Sequence, residues 1–228
     1  MRSLKEINES QILEYLDAAD KNYRSYDPGR YLYVKFCQRN NFLSDEYIEL
    51  LYIVLVAWGM NSRGAKLDEF DNFRTSILAN KDRIQNLREQ DLRLESIELD
   101  SKQEQFKKLF TSMKLMEEDR TSRFVTYSKT LHLLFPNLYV PMDRKYTLSF
   151  YPNNVPKALD KQFEKYWKIM KDMQSFAKEH AEALRQAVDN KENQKWNQNL
   201  PKVIDNILIG MNISIRLKRG SSEQGNFY

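Results

Sequence analysis

A lysine and an aspartate in residues 126–146 are the side chains whose types and spacing could do chemistry. Lys129 stands on a predicted apolar helix that ends at Pro136, and Asp143 follows at the predicted start of the next helix. A lysine kept deprotonated is a nucleophile, and a carboxylate stabilises a cationic transition state. The alternative is an ordinary ion pair in which Asp143 is only a helix cap.

If Lys129 and Asp143 react, neighbouring residues must set the protonation states of both side chains. The apolar side chains of Leu131, Leu133 and Leu134 are expected to surround Lys129 and lower its pKa, because burial disfavours the ammonium. The N-terminal end of the following helix is expected to keep Asp143 ionised, since its free N–H groups and its dipole favour an anion.

Composition predicts an all-α protein. Of 228 residues, 41% are hydrophobic and only 6 are Gly and 6 are Pro, which supplies a core but little turn material for hairpins. We expect one helical domain over residues 1–218 and a flexible tail over 219–228. A division of the domain into two lobes with the site between them stays open. Cys37 is the sole cysteine and is a predicted core residue, so we expect neither a disulfide nor a structural zinc.

Charge and motifs narrow the function classes. The net charge of +4 is a mild excess that suits a polyanionic partner without requiring one. No apolar run approaches the length of a membrane span and no secretory leader is evident, so we expect a cytoplasmic protein with no membrane partner. The sequence contains no phosphate-binding glycine loop, zinc-protease motif or serine-hydrolase motif, and we therefore expect no cofactor and no metal.

The most hydrophobic segment, residues 45–58, predicts a helix in the middle of the fold. Gly59 is the expected end of this helix. The polar residues that follow, Asn61, Ser62 and Arg63, either face a ligand or form a plain corner between two helices.

Two further helices are predicted near the end of the chain. Residues 157–190 keep one apolar face and predict the longest helix, with His180 as a core histidine. Residues 200–209 predict the last helix, which ends near Gly210. Residues 213–217 favour a short β-strand.

Three sequence elements occur in an order that a known enzyme family shares. They are an apolar helix ending in a polar loop (51–63), the motif Lys129-Thr130-Leu131, and the V-P-x-D-basic motif at 140–144. With these elements the chain resembles the helix-hairpin-helix DNA glycosylases, and among them the 8-oxoguanine glycosylases. The resemblance implies a two-lobed helical bundle in which Lys129 is the nucleophile and Asp143 is the essential carboxylate.

The family's hairpin carries glycines whose amides bind a DNA phosphate, and Val125 and Tyr127 occupy those places here. We therefore expect a degenerate hairpin. The side chains expected to contact the DNA backbone are Lys66, Arg123, Ser128, Arg144 and Lys145. Those expected to line the base pocket or to probe the duplex are Trp58, Asn61, Ser62, Arg63, Tyr127, His132 and Phe135.

The implied partner is double-stranded DNA carrying a damaged or modified base, which a monomer flips out of the stack. The identity of that base, an accompanying abasic-site lyase activity, and a role in repair or in antiviral defence stay open. One alternative is a non-catalytic helical module that binds nucleic acid or protein through the same basic face. Another is a helical defence protein whose active site lies elsewhere.

Overall fold

The computed structural model describes residues 4–23, 26–62, 65–117, 123–152, 154–190 and 196–224, with side chains as far as Leu217. Arg63 lies outside these ranges. Within them the secondary structure is helical, apart from one isolated antiparallel bridge between Leu67 and Met116. The predicted all-α class is therefore confirmed, whereas the two-lobed glycosylase arrangement stays a prediction.

The described ranges contain ten α-helices: α1 (Glu9–Asn22), α2 (Pro28–Cys37), α3 (Asp45–Leu55), α4 (Phe70–Ala79), α5 (Lys81–Arg88), α6 (Leu99–Ser112), α7 (Arg123–Leu134), α8 (Leu159–Glu179), α9 (Ala181–Asp189) and α10 (Leu200–Gln224). The side chains of Asn8, Asp27 and Ser44 each accept a main-chain N–H in the first turn of α1, α2 and α3. None of these helices is both long enough and apolar enough to cross a membrane.

The buried centre of the fold is α7. Every residue from Arg123 to Leu134 is buried, and α3 and α8 both pack against this helix. The sequence instead predicted a central helix over residues 45–58. That prediction is wrong, because Ile53 and Val56 of this segment face solvent. An apolar surface all round a helix does not specify how many neighbours will cover it.

Residues 157–190 form two helices rather than one. The chain leaves helical geometry at His180, where φ is −113° and ψ is 25°, and α8 and α9 lie on either side. The predicted role of His180 as a core residue agrees with its burial and with its ring contact to Phe176 at 4.7 Å. A shared apolar periodicity does not report such a break, because both helices face the same core.

The last helix, α10, is the longest at 25 residues and does not end near Gly210. Residues 213–217 continue it, so the predicted strand there is wrong. Gly210 serves a close approach to α1, because a Cβ at this position would lie 1.8 Å from the main-chain oxygen of Tyr15. The pairing of α1 with α10 is the most extensive between helices. The flexible tail over 219–228 stays a prediction, and residues 225–228 lie outside the described ranges.

Candidate active site

The fold brings Lys129 and Asp143 together. Lys129 Nζ lies 3.5 Å from Asp143 Oδ2 and donates to the main-chain oxygen of Trp58 at 3.0 Å. Lys129 is 7% exposed, whereas a third of the Asp143 side chain is open to solvent. A buried amine therefore meets a carboxylate that solvent and ligands can reach.

The end of α3 positions the amine. A π turn, Val56–Met60, follows α3, and Gly59 adopts φ 80° within it, a conformation that favours glycine. This turn presents the main-chain oxygen of Trp58 to Lys129. The Trp58 indole in turn donates to the main-chain oxygen of Gly29 at 3.3 Å. A Cβ on Gly29 would lie 2.9 Å from Trp58 Cδ1, so the missing side chain lets the indole approach α2.

Asp143 does not begin a helix of useful length, which corrects the expectation that a helix dipole holds it. A turn follows it, and then only the three-residue 3-10 helix Thr147–Ser149. Local hydrogen bonds fix the carboxylate instead. Asp143 Oδ1 accepts the main-chain N–H of Lys145 at 2.7 Å, and the N–H of Asp143 donates to Thr147 Oγ1 at 3.0 Å. The preceding residue, Met142, donates its N–H to the buried Ser128 Oγ at 3.1 Å.

A pocket of about 670 Å³, its open mouth included, surrounds the pair. Much of its wall is aromatic, so a planar ring can be held by stacking and by apolar contact. The aromatic lining residues are Tyr23, Tyr33, Trp58, Tyr146 and Trp196. Of these, the sequence had indicated only Trp58.

A second lysine and aspartate line the same pocket, and the sequence did not indicate them. Lys202 and Asp205 lie in the first turns of α10, both are buried, and Lys202 Nζ contacts Asp205 Oδ2 at 2.5 Å. The signal was present as two charges three positions apart inside an apolar helix, where a charge needs a partner. The ammonium groups of Lys129 and Lys202 lie 5.9 and 5.6 Å from the centroid of Trp58.

Arg30 completes the charged lining. Its guanidinium carbon lies 3.8 Å from the ring centroid of Tyr23 and 3.6 Å from that of Trp196, and its Nη2 pairs with Asp20 at 2.7 Å. Burial lowers the pKa of Arg30 to about 10. The guanidinium thus joins α1, α2 and the segment before α10 at one edge of the pocket.

The pKa values of the two lysines are shifted in opposite directions from the ordinary lysine value. Burial lowers the pKa of Lys129, and the carboxylates of Asp143 and Asp205 offset only part of that effect. Burial also acts on Lys202, but the contact with Asp205 and the nearby Tyr23 outweigh it and raise the pKa of Lys202. As the pH rises, Lys129 therefore loses its proton before Lys202.

His132 is a structural residue and does not line the pocket. Its ring lies between the hydroxyl of Tyr33, at 2.9 Å, and the main-chain oxygen of Tyr139, at 2.6 Å. Burial lowers the pKa of His132 to about 3, so the ring is neutral. Asn199 donates to the same Tyr33 hydroxyl at 2.8 Å and its Oδ1 accepts the N–H of Lys202. This chain of hydrogen bonds fixes the start of α10 against α2 and α7.

The other residues expected at a base pocket lie elsewhere. Tyr127 and Phe135 are buried in the core, where the Tyr127 hydroxyl donates to Met113 and the Phe135 ring contacts Phe106. Their expected place in the pocket is therefore corrected. Asn61 and Ser62 are exposed after the π turn and do not line the pocket.

The expected DNA-backbone residues separate into buried and exposed sets. Arg123 is buried and donates to the main-chain oxygen of Lys157, and Ser128 is buried against Met142, so neither presents its side chain to a phosphate. Their expected role is corrected for that reason. The exposed residues are Lys66, which pairs with Glu117 at 3.5 Å, and Arg144 and Lys145, which follow Asp143 directly.

The described residues hold no group of three or more His, Cys, Asp and Glu side chains that could bind a metal ion. The charged and aromatic lining of the pocket consists of two lysines, two aspartates, an arginine and five aromatic residues. No protein-family model matches the sequence, and comparisons with curated proteins and with solved structures found no significant match.

Proposed function

We propose that this protein is a DNA glycosylase that removes a damaged or modified base, with Lys129 as nucleophile and Asp143 as the essential carboxylate. The observation that carries the proposal is the buried Lys129 amine, 3.5 Å from Asp143 inside an aromatic pocket. Its lowered pKa favours the neutral amine that nucleophilic attack needs.

The chemistry follows from the positions of the two groups. Breaking the bond between base and sugar creates positive charge on C1′, which the carboxylate of Asp143 stabilises. The Lys129 nitrogen adds to C1′ as the base leaves with the bonding electrons, and the departing base takes a proton from water. Loss of the ammonium proton and opening of the sugar ring then give an imine between Lys129 and C1′. An imine of this kind also permits elimination at the next phosphate, which nicks the strand.

The pocket suits a base taken out of the duplex. Inside a stacked helix, C1′ and the base edges are out of reach of a buried lysine, so the nucleotide must be flipped. Trp58 supports a planar ring close to both the Lys129 amine and the pocket mouth. Arg144 and Lys145 are exposed next to Asp143 in the chain and are the cations that this proposal assigns to flanking phosphates.

The test uses a probe that does not depend on the unidentified base. A duplex with a single abasic site presents C1′ as an aldehyde, and borohydride reduces any imine to a stable amine. We expect a covalent adduct with the protein that Lys129→Gln abolishes. Lys108→Gln is the matched control, because Lys108 is exposed on α6 and, among the described residues, its ion pair is a loose one with Glu104 at 4.0 Å.

A panel of duplexes, each with one modified base, then identifies the substrate by release of the free base. Adduct retained by Lys129→Gln would remove Lys129 from the proposed role. The alternative of a non-catalytic binding module predicts DNA binding that weakens with salt but neither adduct nor released base on any duplex.

A further inference from the structure

We propose that Asp205 selects which of the two pocket lysines reacts: by holding the ammonium of Lys202, it leaves Lys129 as the available amine. This inference rests on the proposed function, because it concerns the choice of nucleophile in that reaction. Asp205 is thus a positioning residue rather than a group that touches the reacting atoms.

Geometry makes the two amines near equivalents. Lys129 is 7% exposed and Lys202 is 8% exposed, and both line the same pocket. Their Nζ atoms lie at similar distances, 5.9 and 5.6 Å, from the ring centroid of Trp58. Both amines therefore lie near the ring beside which the flipped nucleotide is expected to sit. Burial and position therefore do not explain why only one of them would react.

The carboxylate partners are what distinguish the lysines. Lys202 lies 2.5 Å from Asp205, which is itself buried and contacts no other described lysine or arginine closely enough to form an ion pair. Lys129 lies 3.5 Å from Asp143, which also binds the main-chain N–H of Lys145. An ammonium in a short contact with a buried carboxylate holds its proton, and a protonated amine is no nucleophile.

Other charged and titratable groups face the two amines. The charge on Lys202 is affected by Tyr23 at the end of α1 and by Arg30 of α2. The charge on Lys129 is affected by Asp143 and also by Asp205. Arg30 disfavours a charge on Lys202, so it cannot be what keeps that lysine protonated. Tyr23 favours the charge on Lys202 as Asp205 does, but Asp205 is the carboxylate that contacts the ammonium, at 2.5 Å. Removal of the Asp205 charge should therefore free the Lys202 amine.

In a variant without the Asp205 charge, the buried Lys202 loses its partner and burial should lower its pKa. If the pKa of Lys202 falls by about one unit, the neutral fraction of this lysine rises about tenfold at any pH well below the pKa. The neutral nitrogen can then add to the aldehyde carbon of an abasic sugar and expel water as the imine forms. Borohydride supplies the hydride that reduces this imine to a secondary amine.

The decisive experiment transfers the reaction between lysines. Adducts with the abasic duplex are trapped by borohydride and mapped to a lysine by mass spectrometry of the digested protein. We expect the adduct on Lys129 in the wild type, none in Lys129→Gln, and restored adduct on Lys202 in Lys129→Gln/Asp205→Asn. The matched control is Lys129→Gln/Asp82→Asn, in which the second change is exposed on α5, and it should restore no adduct. Absence of rescue in the folded double variant would overturn the proposal.

A second measurement does not depend on catalysis. Brief acetylation of the wild-type protein over a pH series, read for each lysine by mass spectrometry, should label Lys129 at lower pH than Lys202. Asp205→Asn should move the labelling of Lys202 to lower pH. Labelling of Lys202 at lower pH than Lys129 in the wild-type protein would overturn the proposed role of Asp205. The expected labelling without any abasic adduct would instead leave the selection intact and refute the glycosylase.

Discussion

The pocket contains two lysine–aspartate pairs of the same composition and different construction. Lys129 and Asp143 come from α7 and from the loop that follows it, they are 3.5 Å apart, and the carboxylate is partly open to solvent. Lys202 and Asp205 come from one helix, they are 2.5 Å apart, and both are buried. We call the first pair loose, because its contact is long and its carboxylate is accessible, and the second closed, because its contact is short and both side chains are buried.

The difference teaches that the partner, more than burial, decides what a buried lysine can do. Burial alone pushes both ammonium groups toward the neutral form. The close carboxylate of Asp205 reverses that tendency at Lys202, while the more distant Asp143 does not reverse it at Lys129. A loose pair can therefore support chemistry, and a closed pair supports structure.

The largest effect should come from breaking the closed pair. Asp205→Ala leaves the ammonium of Lys202 buried without its anion, and we expect a loss of roughly 3–5 kcal/mol in the free energy of unfolding. Urea unfolding measures it. Replacing both residues, with Lys202→Met and Asp205→Leu, should restore most of that stability. An Asp205→Ala protein as stable as the wild type would show that the pair is not closed in solution.

Changing the loose pair should affect catalysis rather than folding. Asp143→Asn keeps the shape of the side chain but removes the charge that stabilises the developing cation, so single-turnover base release should fall about 10²–10³-fold. Fluorescence anisotropy should show nearly unchanged DNA binding. Asp82→Asn on α5 is the control, and equal losses of activity in both variants would contradict the assignment.

The pH dependence should separate the lysines further. Because the pKa of Lys129 is below the ordinary value of 10.5, abasic-adduct formation should rise with pH and level off below that value. Well below the pKa, each unit of pH changes the neutral fraction about tenfold. The pKa of Lys202 is raised, so the stability that its pair contributes is present below 10.5 and is lost as pH rises through the higher value. An adduct yield that levels off only above 10.5 would count against Lys129.

The smallest effect should lie at the pocket mouth. Lys145→Gln removes one exposed cation beside Asp143, and we expect weaker binding to all duplexes together with a salt-dependence slope smaller by about 1. Binding titrations at several salt concentrations measure the slope. The control is Lys108→Gln on α6, which should leave it unchanged.

The composition of the sequence predicted the helical class. The sequence also singled out Lys129 and Asp143, because a proline turn between them returns the chain on itself. It misplaced Tyr127 and Phe135 for a reason that helix geometry explains. At 3.6 residues per turn, Phe135, just past the end of α7, is offset from Lys129 by roughly 120°, and Tyr127, offset by roughly 160°, lies on the opposite face of α7. That face packs in the core.

The second pair could not be placed from the sequence, because its position depends on contacts distant along the chain. The start of α10 is held by the hydrogen bond from Asn199 to Tyr33, and its course is set by the contact of Gly210 with Tyr15. A glycine in an apolar run predicts a helix end as readily as a close crossing. Only the packed structure distinguishes the two.

The contact between Gly210 and Tyr15 also bears on when the pocket can form as the protein is made. The two helices that it joins are the first and the last α-helices of the described chain, so their docking must wait until almost everything between them has been synthesised. Contacts between residues so distant in sequence are slow to form, because the intervening chain must first be ordered. Lys129 therefore emerges from the ribosome long before Lys202 and Asp205 arrive to complete the walls around it.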